Sequence, residues 1–272
     1  IDRPSIDVPA YVPANLKKNI YIKSKEKSSA LAIEFPIKNN LGDWKKKPNQ
    51  YLAKILNSQE KSSLMGTLED EGYIQGGQAS FLPNIWGFDG SMFIDMNLTE
   101  FGENNKNDII SLVFDYLNIM SENGVTLDHF DELKATNEIA FENYTSLPPL
   151  QAALSLTSRI FELEPVHLIE SEYVTENFDA ELILNVLSQM TPERVRIYHV
   201  GPDEEINRQL QFADGGYRVE EIKESDFINW EKSEYALAIP VAELIEDDES
   251  ASVEMLAGYK TPQKVYSADG VQ

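Results

Sequence analysis

The chain has 272 residues, a formal charge of −23 with histidine neutral, and no cysteine. That length buries one large core, or a core with a small appendage. The charge sets the chain against nucleic acid and anionic membrane surfaces, since neither can release counterions to it, and leaves basic or neutral peptides as compatible partners. Without cysteine there is no disulfide, thiolate metal site or thiol nucleophile, and the redox compartment stays open. No apolar run reaches the ~18 residues of a membrane span, and the opening IDRPSIDVPAYVPANL lacks a basic n-region and an apolar h-region. Its first residue is Ile1 rather than Met, as in a piece excised from something longer.

Pro4, Pro9 and Pro13 disfavour helix, so residues 1–17 read as an extended linker. Two antiparallel strands follow, one around Ile20 and Ile22 and one through Ala30, Ala32, Ile33, Phe35 and Ile37. A helix after GDWKKKPNQ sets Tyr51, Leu52, Ile55 and Leu56 on one face. Ser62 or Ser63 caps the next helix, which stops at Gly72. Strands resume over 73–82 and 90–98, joined by a turn at LPNIWGFDG, with Met92, Ile94 and Met96 facing opposite to Phe93, Asp95 and Asn97.

The clearest helix carries Ile109, Val113, Tyr116, Leu117 and Met120 at helical period, and Gly124 ends it. Thr126 caps a helix lined by Phe130, Leu133, Asn137, Ala140 and Phe141, and Pro148 and Pro149 open another. A helix over DAELILNVLSQM and a strand over 194–200 complete an α+β unit, with a mostly antiparallel sheet and helices packed on one face. Residues 244–272 read as an acidic C-terminal linker.

Chemistry is harder to find. There is no Gly-x-Ser-x-Gly elbow, P-loop or Gly-x-Gly-x-x-Gly fingerprint. His129, His167 and His199 each have an incidental structural or surface reading. Glu164 and His167 have a spacing that could share a metal, but without further nitrogen ligands. The glycosylation patterns at Asn97 and Asn143 read as coincidence, and the pairs Gly76-Gly77 and Gly215-Gly216 as bulges or turns.

In order, SSALAIEFPI, KPNQYLAKILNSQEKSSLMGTLEDEGYI, GGQASF and GSMFIDMNLTEFG resemble the second domain of the insulin-degrading enzyme and pitrilysin (insulinase) family of zinc metallopeptidases. YRVEEI and ESDFINWEK resemble that domain's end, so the likeness runs from about Leu16 to about Glu243. It implies a metallopeptidase or mitochondrial processing peptidase-like fold over residues 18–243. The family's catalytic domain carries His-x-x-Glu-His on a helix, and the matching helix here, NQYLAKILNSQ, has neither His nor Glu. The resemblance therefore implies a non-catalytic domain with no cofactor of its own, zinc being held in a separate catalytic domain. Its partners would be a peptide substrate and the other domains of the same peptidase, with no nucleic acid and no membrane.

The family's peptide exosite, an edge strand that pairs with extended peptide, matches Gly76, Gly77, Gln78, Ala79 and Ser80, with Gln59 to Leu64 alongside. The family loop His-Glu-Gly-x-Gly-Ser-Leu is here Ser58-Gln59-Glu60-Lys61-Ser62-Ser63-Leu64, with Glu60 and Ser62 in place of the glycines. The rival reading is a self-contained inactive homologue that serves as partner subunit or scaffold to a separate active chain.

Overall fold

Alternating apolar residues become a single seven-stranded sheet: β1 (Lys18–Lys23), β2 (Ala30–Lys38), β3 (Ile74–Ile85), β4 (Asp89–Leu98), β5 (Arg196–Gly201), β6 (Arg208–Gln209) and β7 (Gly216–Glu221). The computed structural model describes residues 8–123, 125–144, 148–160, 162–211, 215–230 and 235–243. The expected acidic linker 244–272, Gly124 and the Asn143 pattern's Thr145 lie outside them. The spatial order is β3-β4-β2-β5-β1-β7-β6, and neighbours run antiparallel except β1 with β5.

β1 and β2 run in opposite directions, as expected, but they are not hydrogen-bonded to each other. β5 lies between them, with Ile20 opposite Tyr198 on one side and Ile33 opposite Ile197 on the other. The link 24–29 makes this feasible, since two strand spacings are only ~10 Å and six residues reach ~20 Å. The turn between β3 and β4 is also tighter than LPNIWGFDG suggested. The strands continue to Ile85 and from Asp89, leaving Trp86 (φ 55°) and Gly87 (φ 95°) in left-handed conformation at the tip.

The helices are α1 (Pro48–Leu56), α2 (Leu64–Asp70), α3 (Glu100–Asn104), α4 (Lys106–Glu122), α5 (Leu127–Glu142), α6 (Pro149–Arg159), α7 (Ala180–Leu187) and α8 (Glu224–Asn229). The core-forming helices pack on one sheet face, where Leu31, Ile33, Phe35, Ile37, Met92, Ile94, Met96 and Ile197 meet Tyr51, Leu52, Ile55 and Leu56 of α1 in one core. Burial of each such side chain contributes roughly 1.5–3 kcal/mol before entropy.

α4 buries more than its expected stripe, because Ile110, Leu112 and Phe114 are covered as well; Phe114 stacks on Trp230, centroids 5.6 Å apart. α5 buries less. Phe130 and Leu133 are in the core, whereas Asn137 is held by Gln50 and Thr175, and Phe141 stays exposed against Tyr173.

On the opposite sheet face the lead-in segment returns across the strands. The Ala10 amide donates to Asp89 Oδ2 at 2.7 Å, and the Tyr11 hydroxyl donates to Glu34. Glu34 is buried and also accepts from Tyr198 Oη at 2.6 Å and Ser91 Oγ at 3.2 Å, with Arg196 Nη1 3.1 Å away. One carboxylate thus joins β2, β4, β5 and the lead-in. Replacing Glu34 with Ala should cost ~3 kcal/mol, because the half-buried Arg196 loses its counter-charge. Tyr198→Phe should cost ~1 kcal/mol, since only one hydrogen bond is lost. Urea unfolding of the two variants checks both values and their order.

Candidate functional site

The three histidines sit on separate elements, each with its own partners. His129 Nδ1 lies 2.7 Å from Thr126 Oγ1, and its Nε2 donates to the Pro240 carbonyl at 2.8 Å. His167 pairs with the Glu170 carboxylate, beside the Trp44 ring, while Glu164 meets it through the backbone only. The Glu164–His167 pair is therefore not assembled as a metal site. His199 is buried, stacks on Tyr21 with centroids 4.6 Å apart, and donates from Nε2 to Asn19 Oδ1 at 3.1 Å.

Among the described residues, no group of three or more His, Cys, Asp or Glu is placed to hold a metal ion. The zinc that the resemblance brings to mind does not fit here. The helix in the corresponding place, α1, turns Tyr51, Leu52, Ile55 and Leu56 into the core and carries no ligand.

Burial, with the Lys106 and Arg218 charges next in weight, pushes the His199 imidazole down to about 3. A base depressed in the folded state takes up its proton on unfolding, so its contribution to stability falls as pH drops below the unfolded value of ~6.5 and continues to fall towards about 3. The stability difference between wild type and His199→Gln should accordingly shrink as pH is lowered from 8 to 5 (~6.5 being the onset). Denaturant titrations at several pH values check it.

The sheet ends in β3 on one side and in the two-residue β6 on the other. The long edge strand is β3. It pairs with β4 alone, through Gly77–Met96, Gln78–Asp95, Ala79–Ile94 and Ser80–Phe93, after a bulge between Ile74 and Gly76. All five residues Gly76, Gly77, Gln78, Ala79 and Ser80 thus lie on a strand with one unpaired side. A cleft of about 490 Å³ opens beside Gly77 and Gln78, walled by Ile55, Asn57 and Ser58–Glu60, by His129 and Glu132 of α5, and by Pro240, Val241 and Glu243. Its charge is mostly acidic: Lys54 is paired with Glu132 at 2.7 Å, while Glu60 and Glu243 add to the rim. A second cleft of similar size, about 490 Å³, flanks Phe81, Leu82 and Pro83, with Trp44, Lys47 and Gln50 opposite. Burial, and next the Arg159 charge, lowers the Lys47 amine there to about 8.

The loop 58–64 closes without its glycines. No residue in it takes a positive φ. Ser63 caps α2, its Oγ accepting from the Gly66 amide at 3.3 Å and donating to the carbonyls of Ser58 and Glu60, and Glu60 N donates to Ser58 Oγ at 3.2 Å. The glycine that matters is Gly66, where a Cβ would stand 2.1 Å from the Glu60 carbonyl oxygen. The segment 237–241 straps the loop from outside, the Ala238 amide donating to the Ser62 carbonyl at 2.9 Å. Gly66→Ala should therefore cost ~3 kcal/mol by overpacking, with the loop displaced. Unfolding titrations and amide shifts of residues 58–64 check this.

Sequence reasoning missed Asn57, whose carboxamide donates to the Ala79 carbonyl (2.9 Å) and accepts from the Ala79 amide (2.6 Å). In sequence it reads only as the residue that ends α1.

Two protein-family models match the chain: "Peptidase M16 inactive domain" over residues 2–137, half of the chain, and "Middle or third domain of peptidase_M16" over residues 111–245. The chain belongs to the peptidase M16 family. Protease 3 of Salmonella typhimurium is 27% identical over 244 residues, 90% of this chain and 25% of that protein. Insulin-degrading enzyme-like 1, peroxisomal, of Arabidopsis thaliana is 25% identical over 80% of this chain and 22% of its own length. The crystal structure of pitrilysin superposes with a TM-score of 0.85 at 26% identity, covering 91% of this chain and 27% of that one. An inactive peptidase domain of a zinc protease from Bordetella parapertussis shares the fold, with a TM-score of 0.52 at 11% identity over 68% of this chain and 97% of its own. The chain thus spans about a quarter of the length of its Protease 3 relatives. It is an inactive M16 domain of the pitrilysin-like, insulinase type, as its sequence motifs implied.

Proposed function

We propose that residues 18–243 are a non-catalytic domain of a larger pitrilysin-like zinc metallopeptidase, with 1–17 and 244–272 as its linkers. In this reading the domain forms part of a substrate chamber and binds extended peptide along the free edge of β3 at Gly76–Ser80. The zinc belongs to another domain of the same protein. The observation that carries the proposal is the one-sided pairing of β3, together with a cleft large enough for a peptide chain against Gly77 and Gln78. Coverage of only a quarter of Protease 3 favours a domain over a self-contained partner subunit.

Strand addition recognises backbone groups, so selection by side chain is weak, and the acidic rim favours basic or neutral peptides. In an antiparallel ladder alternate residues turn both their N–H and C=O to the same side. Since Ala79 faces away from β4 to meet Asn57, Gly77 and Phe81 also face the free edge, and Gln78 and Ser80 face β4. Each added bond nets ~0.5–1.5 kcal/mol, against the ordering of a flexible ligand, so the isolated domain should bind with a Kd on the order of 0.1–1 mM.

An NMR titration with a capped alternating Lys-Thr peptide tests the reading. Amide shifts should cluster at residues 74–82 and 57–64, and a peptide N-methylated at alternate positions, unable to donate to the strand, should bind far more weakly. Shifts confined to other faces, or equal binding of the N-methylated peptide, would overturn the proposal.

A further inference from the structure

The free side of β3 is open at Gly77 and Phe81 but already filled between them. Asn57 presents a primary amide that makes the same two hydrogen bonds a neighbouring strand would make to Ala79, one donated at 2.9 Å and one accepted at 2.6 Å. Its backbone is fixed, because the Asn57 amide N–H bonds to the carbonyls of Ala53 and Ile55 at the end of α1. Only the side chain is free to leave. One cleft reaches Asn57 from the Gly77 side, and the other lies beyond it at Phe81 and Leu82.

We infer that the Asn57 carboxamide stands in for one peptide group of an added strand, so that an extended peptide runs along β3 from Gly77 to Phe81 only by displacing it. This rests on the reading of β3 as a peptide-binding edge. The consequence is energetic. At Ala79 the peptide brings two hydrogen bonds and removes two, so that position adds little to affinity, whereas the same two bonds would count in full if the carboxamide were absent. Asn57 also shields the edge from pairing with other strands when no peptide is bound. It therefore sets the affinity of the edge downward and selects peptides with enough further contacts to expel it.

The test measures the same capped Lys-Thr peptide against wild type, Asn57→Ala and Asn57→Gly. Both variants lose both hydrogen bonds to Ala79, and both should bind the peptide on the order of tenfold more tightly than wild type. In the Ala variant the Ala79 amide, protected from hydrogen exchange in wild type, should exchange freely and regain protection when peptide is added. In wild type itself, saturation with peptide should move the Asn57 side-chain amide resonances to solvent-exposed positions, a readout that needs no variant to fold. Unchanged Asn57 resonances at saturation, or affinities equal to or weaker than wild type in folded variants, would overturn the inference while leaving the peptide-binding edge intact. Absence of binding by wild type and folded variants alike would overturn both.

Discussion

The insertion of β5 between β1 and β2 is the constraint on which the rest of the structure depends. It brings residues 196–201 back to residues 18–23 and 30–38, joining the two ends of the domain in the middle of the sheet. Ile33 opposite Ile197 closes the core on the helical face, and Glu34 opposite Arg196 forms the buried polar hub on the other. The order of the sheet then leaves β3 at one end with no second strand beside it. A β1–β2 hairpin would have needed no such long-range closure, but it would have left β5 without its two partners. The loop-closure cost grows only slowly with length, so the buried contacts of a central strand exceed it.

Much of this was legible in the sequence, because period and caps are local signals. The faces of β4, with Met92, Ile94 and Met96 in and Asp95 and Asn97 out, follow from alternation, and the caps Ser63 and Thr126 stand where the hydroxyls suggested. What was not legible depends on residues distant in sequence. The parallel pairing of β1 with β5 has no local signature. The two-residue strand β6 and the short helix α3 are too brief to show a period. Phe141 falls on the expected stripe of α5 and is nevertheless exposed, since period marks a face but not what lies opposite it.

The candidate edge divides in the same way. The glycine pair and the strand pattern located Gly76–Ser80, and one-sided pairing is a property of the sheet order, which only the structure supplies. Asn57 escaped notice for a physical reason. A helix-terminal Asn is common enough to need no further role, and its partner Ala79 lies 22 residues later in the chain. The loop between them turns without any positive φ, because the side chains of Ser58 and Ser63 supply hydrogen bonds that hold it.

The same economy explains why α1 offers no metal ligand. On α1 the inward face is given to Tyr51, Leu52, Ile55 and Leu56, all buried against the sheet and α7 or α5. Each contributes roughly 1.5–3 kcal/mol of burial, so the helix is now a part of the core that positions its own terminus. Placing a histidine there would bury an imidazole among apolar side chains without a partner, a cost of ~1–3 kcal/mol beyond the packing lost. A helix so committed to the core is held rigidly. That rigidity is what holds Asn57 against β3, with the amide of its last residue tied to two carbonyls of the turn before it. The packing of α1 against the sheet thus also fixes the geometry of the adjoining sheet edge.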